Sequence, residues 1–114
     1  MPKKQGIMNS RMIVIAGCIA ALAAGTAQAG NPAAGKEKSK SCAACHGADG
    51  NSASGEFPRL AGQHYDYLLR TLQDYKSGER KNAIMNGLAA GLSTRDMQDL
   101  AAYYSRQQGL TTKR

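Results

Sequence analysis

The sequence predicts an all-α domain in which three main helices are joined by long loops. Three segments carry caps or apolar spacing typical of helices, and no segment alternates between polar and apolar residues as a strand would. Two loops rich in Gly, Ser, Asn and Pro separate these segments, at residues 47–62 and 78–92. The 114-residue chain has no Trp and one Phe. Because so few large apolar residues cannot fill a core, we expect the loops to surround a non-protein group.

The first 29 residues have the pattern of a signal peptide. Lys3, Lys4 and Arg11 form a positive region, the apolar run "MIVIAGCIAALAAGTA" follows, and "AQA" ends at Ala29. Small residues at these positions predict cleavage after Ala29 and export to the periplasm. Two alternatives remain. The run is short and weakly hydrophobic for an uncleaved membrane anchor, and "IAGC" is a candidate lipid-attachment site at Cys18 with a short apolar stretch before it.

Residues 30–114 are predicted to form one domain. Three of the 15 basic residues and none of the eight acidic residues lie in the signal segment, so the net charge falls from +7 to about +4 after cleavage. This mild excess is far below the density of a nucleic-acid-binding surface, and no nucleic-acid partner is expected.

The first predicted helix begins in "NPAAGKEKSKSCAAC", residues 31–45. Asn31 is a favourable N-cap and Pro32 suits the first helical position. The interior of this helix is polar and includes Gly35, so it is weak by itself.

The other two helices have clear apolar spacing. Residues 63–78 place tyrosines and leucines on one face and end at Gly78, which suits a C-terminal stop. Residues 93–109 begin with a capping pattern of Ser93 and Asp96, and their apolar stripe contains Met97, Leu100, Ala101 and Tyr104.

The stretch "SCAACHGADG" carries the chemistry. Residues three apart lie on the same side of a helix, so Cys42 and Cys45 present both sulfurs to one flat object, and His46 follows at once. The pattern C-x-x-C-H is the attachment signature of c-type haem. The thiols then form thioethers with the two vinyl groups, and His46 binds the iron from one face.

Three other uses of the cysteines fit the sequence less well. Zinc would need four ligands, and Cys42, Cys45, His46 and His64 are the available set, in a spacing that fits no zinc finger or ribbon. A redox dithiol of the thioredoxin type would need neighbouring strands. A disulfide across C-x-x-C would be strained and would leave His46 unexplained.

An electron-carrying haem iron needs a sixth ligand, and the candidates are His64, Met85 and Met97. Met97 lies on an apolar stripe and is better explained as core. His64 opens the second helix beside polar Gln63 and suits a surface or capping role. Met85 lies in a predicted loop, where a single exposed methionine would otherwise have no structural role, so it is the preferred ligand. Ligation by His and Met raises the reduction potential relative to two histidines.

The chain resembles class I cytochromes c, and most of all one domain of the tandem di-haem bacterial cytochromes or their single-haem relatives. The stretches that carry the resemblance are "CAACHGADGNSA", "FPRLAGQ", "YLLRTLQDYKSGERKN", "IMNGLAAGLS" and "DMQDLAAYY". The resemblance implies the class I cytochrome c fold around one covalently attached haem c. It makes Cys42 and Cys45 the thioether anchors, His46 the proximal iron ligand and Met85 the distal one. It also implies that the Pro58 carbonyl accepts a hydrogen bond from the non-ligating nitrogen of His46. Because the chain has a single C-x-x-C-H, it carries one haem.

This resemblance implies a periplasmic one-electron carrier, not an enzyme, that shuttles electrons between respiratory or dehydrogenase partners. Two alternatives remain open. The protein is an electron-accepting subunit of a larger oxidoreductase, or it is a haem sensor or peroxidase if the sixth position is open.

Partner proteins are expected to bind near an exposed haem edge. Lys36, Lys38, Lys40, Arg80 and Lys81 form a possible basic surface for acidic redox partners, or else a solvated face. Arg59, Arg80 and Lys81 are candidate neighbours of the haem propionates. We expect contact with membranes only through partners, and a monomer or weak homodimer.

Overall fold

The computed structural model describes residues 30–109, which form five helices and no strand. The helices are α1 (Pro32–Lys38), α2 (Lys40–His46), α3 (Tyr65–Ser77), α4 (Ala83–Ala90) and α5 (Thr94–Ser105). The all-α prediction is therefore confirmed over these residues. The predicted signal peptide, its cleavage after Ala29 and the alternative lipid site at Cys18 lie outside the described residues. No helix within residues 30–109 is long and apolar enough to cross a bilayer.

The first predicted helix is divided into α1 and α2 at Ser39. As predicted, the Asn31 side chain caps α1 by accepting hydrogen bonds from the Ala33 and Ala34 N–H groups, at 2.9 and 3.3 Å. Ser39 is buried, and its hydroxyl donates to the Lys36 carbonyl at 2.7 Å. Such a local side-chain bond competes with the helical backbone pattern, which explains the interruption.

Polar side chains form ion pairs and hydrogen bonds where α1 crosses α5. Lys38 Nζ lies 2.7 Å from Asp99 Oδ2 and 2.8 Å from Asp96 Oδ1. The other oxygen of Asp99 accepts the Asn31 N–H at 2.7 Å. Burial opposes ionisation of Asp99, but the hydrogen bonds from Lys38 and Asn31 outweigh it and lower the pKa of this carboxyl. The crossing is thus fixed by charge-assisted bonds as well as by close packing.

The apolar core lies between α3 and α5. Its buried cluster consists of Leu68 from α3 and Leu100, Ala101, Tyr103 and Tyr104 from α5. Met97 is also buried, at 3% exposure, which agrees with its prediction as core. The predicted capping box at the start of α5 is present.

The second predicted loop contains a helix, α4, so the prediction that Met85 lies in a loop was wrong. The Asn82 side chain caps this helix by accepting the Met85 N–H at 3.0 Å. Among the described helices, α4 packs against α3 alone. Its residues are mostly Ala, Gly and Asn, whose spacing gives little helical signal, so the cap and the contact with α3 determine its conformation.

Candidate functional site

A cavity of about 460 Å³ lies between α2, α3, α4, α5 and the loop before α3. This volume is in the range of sites that enclose cofactors. The wall is mainly apolar: Phe57, Leu60, Leu68, Leu72, Leu88, Leu92 and Leu100 line it. Tyr67, Ile84 and Leu88 are the exposed large apolar residues of the described chain, and all three belong to this wall. The cavity is therefore open to solvent at the edge between α3 and α4.

One wall is formed by the C-x-x-C-H motif. Helix α2 brings Cys42, Cys45 and His46 to the same cavity, in agreement with the helical spacing of the two cysteines. No disulfide joins the thiols, and both side chains are partly buried. The arrangement presents two thiols and one imidazole to a single apolar space.

The imidazole of His46 is fixed in orientation and in tautomer. The ring is 6% exposed, and its Nδ1 lies 2.7 Å from the Pro58 carbonyl oxygen. Because a carbonyl oxygen only accepts, Nδ1 must donate, and Nε2 is left with a lone pair suited to a metal. Phe57 holds the ring edge-on, with centroids 6.5 Å apart. The hydrogen bond to Pro58 expected from the resemblance is present.

Of the three methionine and histidine candidates, Met85 alone lines the cavity. It projects from α4 and is half-buried. His64 is exposed at the N-cap of α3, and Met97 is buried away from the wall. Helices α2 and α4, which carry His46 and Met85, do not contact each other. The cavity thus separates an imidazole from a thioether.

Polar residues at the cavity include tyrosines that the sequence analysis missed. Arg59 and Arg80 both line the wall, whereas Lys81 is exposed and does not. Arg80 donates a hydrogen bond to the Tyr67 hydroxyl at 3.5 Å, and its guanidinium lies 5.2 Å from the centre of the Tyr75 ring. The hydrogen bond from Arg80 lowers the pKa of Tyr67. Both tyrosines lie within the predicted second helix, Tyr75 on its apolar face, but the sequence gave no sign of this pairing with Arg80.

Tyr104 is a second residue whose role at the cavity was missed. It is 3% exposed, lines the wall, and its hydroxyl has no hydrogen-bond partner among the described residues. Burial raises the pKa of its phenol far above the usual range, and Cys42 and Ser39 lie beside it. The helical stripe predicted Tyr104 only as core.

The residues of this cavity fit a haem. An apolar wall, two thiols on one helix and an imidazole with a free Nε2 are the groups that covalent haem attachment and iron ligation require. Zinc is not supported, since no group of three or more His, Cys, Asp or Glu residues within residues 30–109 is arranged to hold a metal ion. A thioredoxin-type dithiol is not supported either, because the described chain has no strand.

The predicted basic surface is only partly available. Lys38 is bound to Asp96 and Asp99, and Lys40 pairs with Glu37 at 3.0 Å. Two of the five predicted lysines and arginines are therefore neutralised by acidic neighbours, and the five do not form one free positive surface.

Comparison with known proteins gives the same assignment as the cavity. The family model for cytochrome c matches residues 32–106. Cytochrome c4 of Pseudomonas aeruginosa is 50% identical over 80 residues, which cover 70% of this chain and 40% of that protein. Cytochrome c-554(548) of Halomonas halodenitrificans is 45% identical over 83 residues, which cover 70% of this chain and all of that protein. A protein of Thiomonas intermedia named thiosulfate dehydrogenase electron acceptor is 46% identical over 76 residues, 65% of this chain and 35% of that protein.

A solved structure is similar as well. The crystal structure of reduced recombinant cytochrome c4 from Pseudomonas stutzeri superposes with a TM-score of 0.68 and 46% identity, over 71% of this chain and 47% of the other. The chain spans less than half the length of the cytochrome c4 relatives that it matches, and it resembles one of their domains. The chain therefore belongs to the cytochrome c family, has the all-α class I fold and takes haem c, with its iron, as its cofactor.

Proposed function

We propose that the protein is a periplasmic one-electron carrier in which His46 and Met85 would be the two protein ligands of the haem iron. The observation that carries the proposal is that these two side chains line one cavity from α2 and α4, two helices that do not contact each other. The haem supplies the redox chemistry, an iron that cycles between its ferrous and ferric states. Two protein ligands leave no position open for a substrate.

The other residues of the cavity have roles that follow from their contacts. Cys42 and Cys45 attach the haem through thioethers. The Pro58 carbonyl holds the His46 ring in one tautomer and makes it a stronger ligand. The leucine-rich wall would limit the contact of the haem with water, which would raise the reduction potential by disfavouring the more charged ferric state. Arg59 and Arg80 line the cavity and are the cations that would pair with the haem propionates.

Replacing Met85 tests the ligation. In Met85→Ala we expect the haem to remain covalently attached, as a haem stain of the denatured chain reports. The ferric spectrum should lose its far-red sulfur-to-iron band and change towards high spin. Met97→Leu is the matched control, because it changes a buried methionine outside the cavity. An unchanged low-spin spectrum in Met85→Ala would refute the proposal, and the same test in His64→Gln would then examine the remaining candidate.

A second candidate function is that of an electron-accepting subunit or partner of a dehydrogenase. It is favoured by the relative named thiosulfate dehydrogenase electron acceptor. The two functions can be distinguished by purifying the native protein from the periplasm and measuring the mass of the purified species. A free carrier should run as a monomer or a concentration-dependent homodimer, whereas a subunit should remain with a larger protein.

A further inference from the structure

Asn86 joins three parts of the chain through one side chain. Its Oδ1 accepts the Asn82 N–H at 2.8 Å. Its Nδ2 donates to the Tyr75 carbonyl at 2.7 Å and to the Arg80 carbonyl at 2.8 Å. Because an amide nitrogen carries two hydrogens, both donors are used. One side chain thus connects α4 to the last turn of α3 and to the segment between the two helices.

Among the described helices, α4 contacts α3 alone, and Lys76 of α3 also donates to the Ala90 and Leu92 carbonyls at the far end of α4. Helix α4 has eight residues, well short of the length at which an isolated helix is stable in water. Two of its larger apolar residues, Ile84 and Leu88, are 61% and 43% exposed. The Tyr75 carbonyl belongs to the last turn of α3, whose carbonyls have no partner within that helix. Asn86 therefore satisfies an orphan carbonyl and holds a short helix in place with the same bond.

Met85 lies in the chain between Asn82 and Asn86, whose hydrogen bonds hold the start of α4. Its N–H is bound by the Asn82 side chain at 3.0 Å, and the Asn82 N–H is bound by the Asn86 side chain. Successive residues of a helix point about 100° apart, so Met85 faces the cavity while Asn86 faces α3. Asn86 itself is not part of the cavity wall.

We propose that Asn86 is the positioning residue for Met85: by bonding α4 to α3, it keeps the thioether directed into the haem cavity and closes the sixth position of the iron. This inference rests on the proposed ligation by Met85. Without the bonds of Asn86, α4 moves away from α3 more often, and the fraction of molecules with Met85 dissociated rises. An added ligand binds that open form, so its apparent affinity measures the open fraction.

Titration of the ferric haem protein with imidazole tests the inference. In Asn86→Ala three hydrogen bonds to α3 and the connecting segment are lost, and we expect the apparent imidazole affinity to rise about tenfold or more. Asn86→Asp should give a larger increase, because it keeps the acceptor for Asn82 but turns an oxygen towards two carbonyls. Asn86→Ser keeps one hydrogen-bond donor and is the milder variant if either of these two proteins is poorly exported. Its apparent imidazole affinity should lie between those of Asn86→Ala and the native protein.

Two controls separate positioning from loss of stability. Gly87→Ala changes the neighbouring residue of α4, where an added Cβ meets nothing within 4 Å, and should leave imidazole affinity within about twofold. Gly35→Ala weakens the distant α1–α5 crossing. It should lower the urea midpoint without the rise in imidazole affinity that the Asn86 variants show.

The outcomes also separate this inference from the proposed function. If the native protein has the far-red band, Met85→Ala loses it, and the Asn86 variants bind imidazole within about twofold of native affinity, the ligation stands and the role of Asn86 is refuted. If the native protein lacks the far-red band, the ligation by Met85 fails first, and the role of Asn86 falls with it.

Discussion

Gly35→Ala should destabilise the protein strongly, because α1 and α5 cross at this residue with no room for a side chain. An added Cβ would lie 2.0 Å from the Asp99 carbonyl oxygen, 2.6 Å from the Asp99 carbonyl carbon and 2.8 Å from Tyr103 Cβ. Two of these atoms are backbone in the middle of α5, and none of the three moves away by rotation of a side chain. The helices must separate by about 1 Å to restore ordinary contact.

The size of the effect follows from what this separation disturbs. Overpacking of a rigid site costs about 1–3 kcal/mol. The same movement lengthens the bonds that Asp99 receives from Asn31 and Lys38, both 2.7 Å, and weakening charge-assisted bonds of this kind costs about 1.5 kcal/mol more. Alanine returns about 1 kcal/mol through its higher helix propensity. We therefore expect a net loss of about 1.5–3.5 kcal/mol in the free energy of unfolding.

Urea unfolding of the haem protein, followed by circular dichroism and by haem absorbance, measures this loss. Gly87→Ala is the matched control, since it makes the same change inside a helix but in open space. We expect it to leave the free energy of unfolding unchanged or to raise it by up to about 1 kcal/mol. A Gly35→Ala protein as stable as the control would refute the reasoning, because it would show that α1 and α5 do not cross closely at this glycine.

Two further predictions concern polar side chains of α5. The hydrogen bond from Lys38 lowers the pKa of Asp96 to about 2, and the pKa of Asp99 is also lowered. Because both carboxyls have folded-state pKa values below their unfolded ones, their contribution is complete above about pH 4 and is lost as the pH falls towards 2. The urea midpoint should fall across this window, and a smaller fall in Asp99→Asn is expected; an equal fall would assign the effect to other groups. Tyr104→Phe removes a buried hydroxyl that has no hydrogen-bond partner within residues 30–109, so the free energy of unfolding should stay within about 1 kcal/mol of native or rise. A loss above about 2 kcal/mol would show that this hydroxyl is bound in the haem protein.

The features that the sequence predicted are those that depend on neighbours along the chain. The cap at Asn31, the capping box at Ser93 and the spacing of the cysteines on one helix face are set within a few residues, and the structure has all three. Met97 was assigned to the core from the stripe of α5, which is also a local pattern.

The features that the sequence did not predict depend on contacts between distant segments. Helix α4 was assigned to a loop because its small residues give no apolar stripe, whereas it packs against α3 and bonds to it through Asn86 and the carbonyl of Tyr75, 11 residues earlier. Lys38 was predicted to lie either on a basic docking surface or on a solvated face, but it pairs with Asp99, 61 residues later. No pattern within a single helix carries information about either contact.

The distribution of polar bonds explains how so small a protein keeps a wide apolar cavity. The large side chain with the least exposure is Leu100, and much of the remaining buried core is alanine. Six of the seven leucines within residues 30–109 line the cavity, Leu100 among them, so the packing between the helices shares its side chains with the cavity wall. At three places a polar side chain adds to that packing: Lys38 between α1 and α5, His46 against the Pro58 loop, and Asn86 between α3 and α4. Because hydrogen bonds depend on direction, they position these elements with little apolar surface, and more of the apolar surface is available to surround the haem.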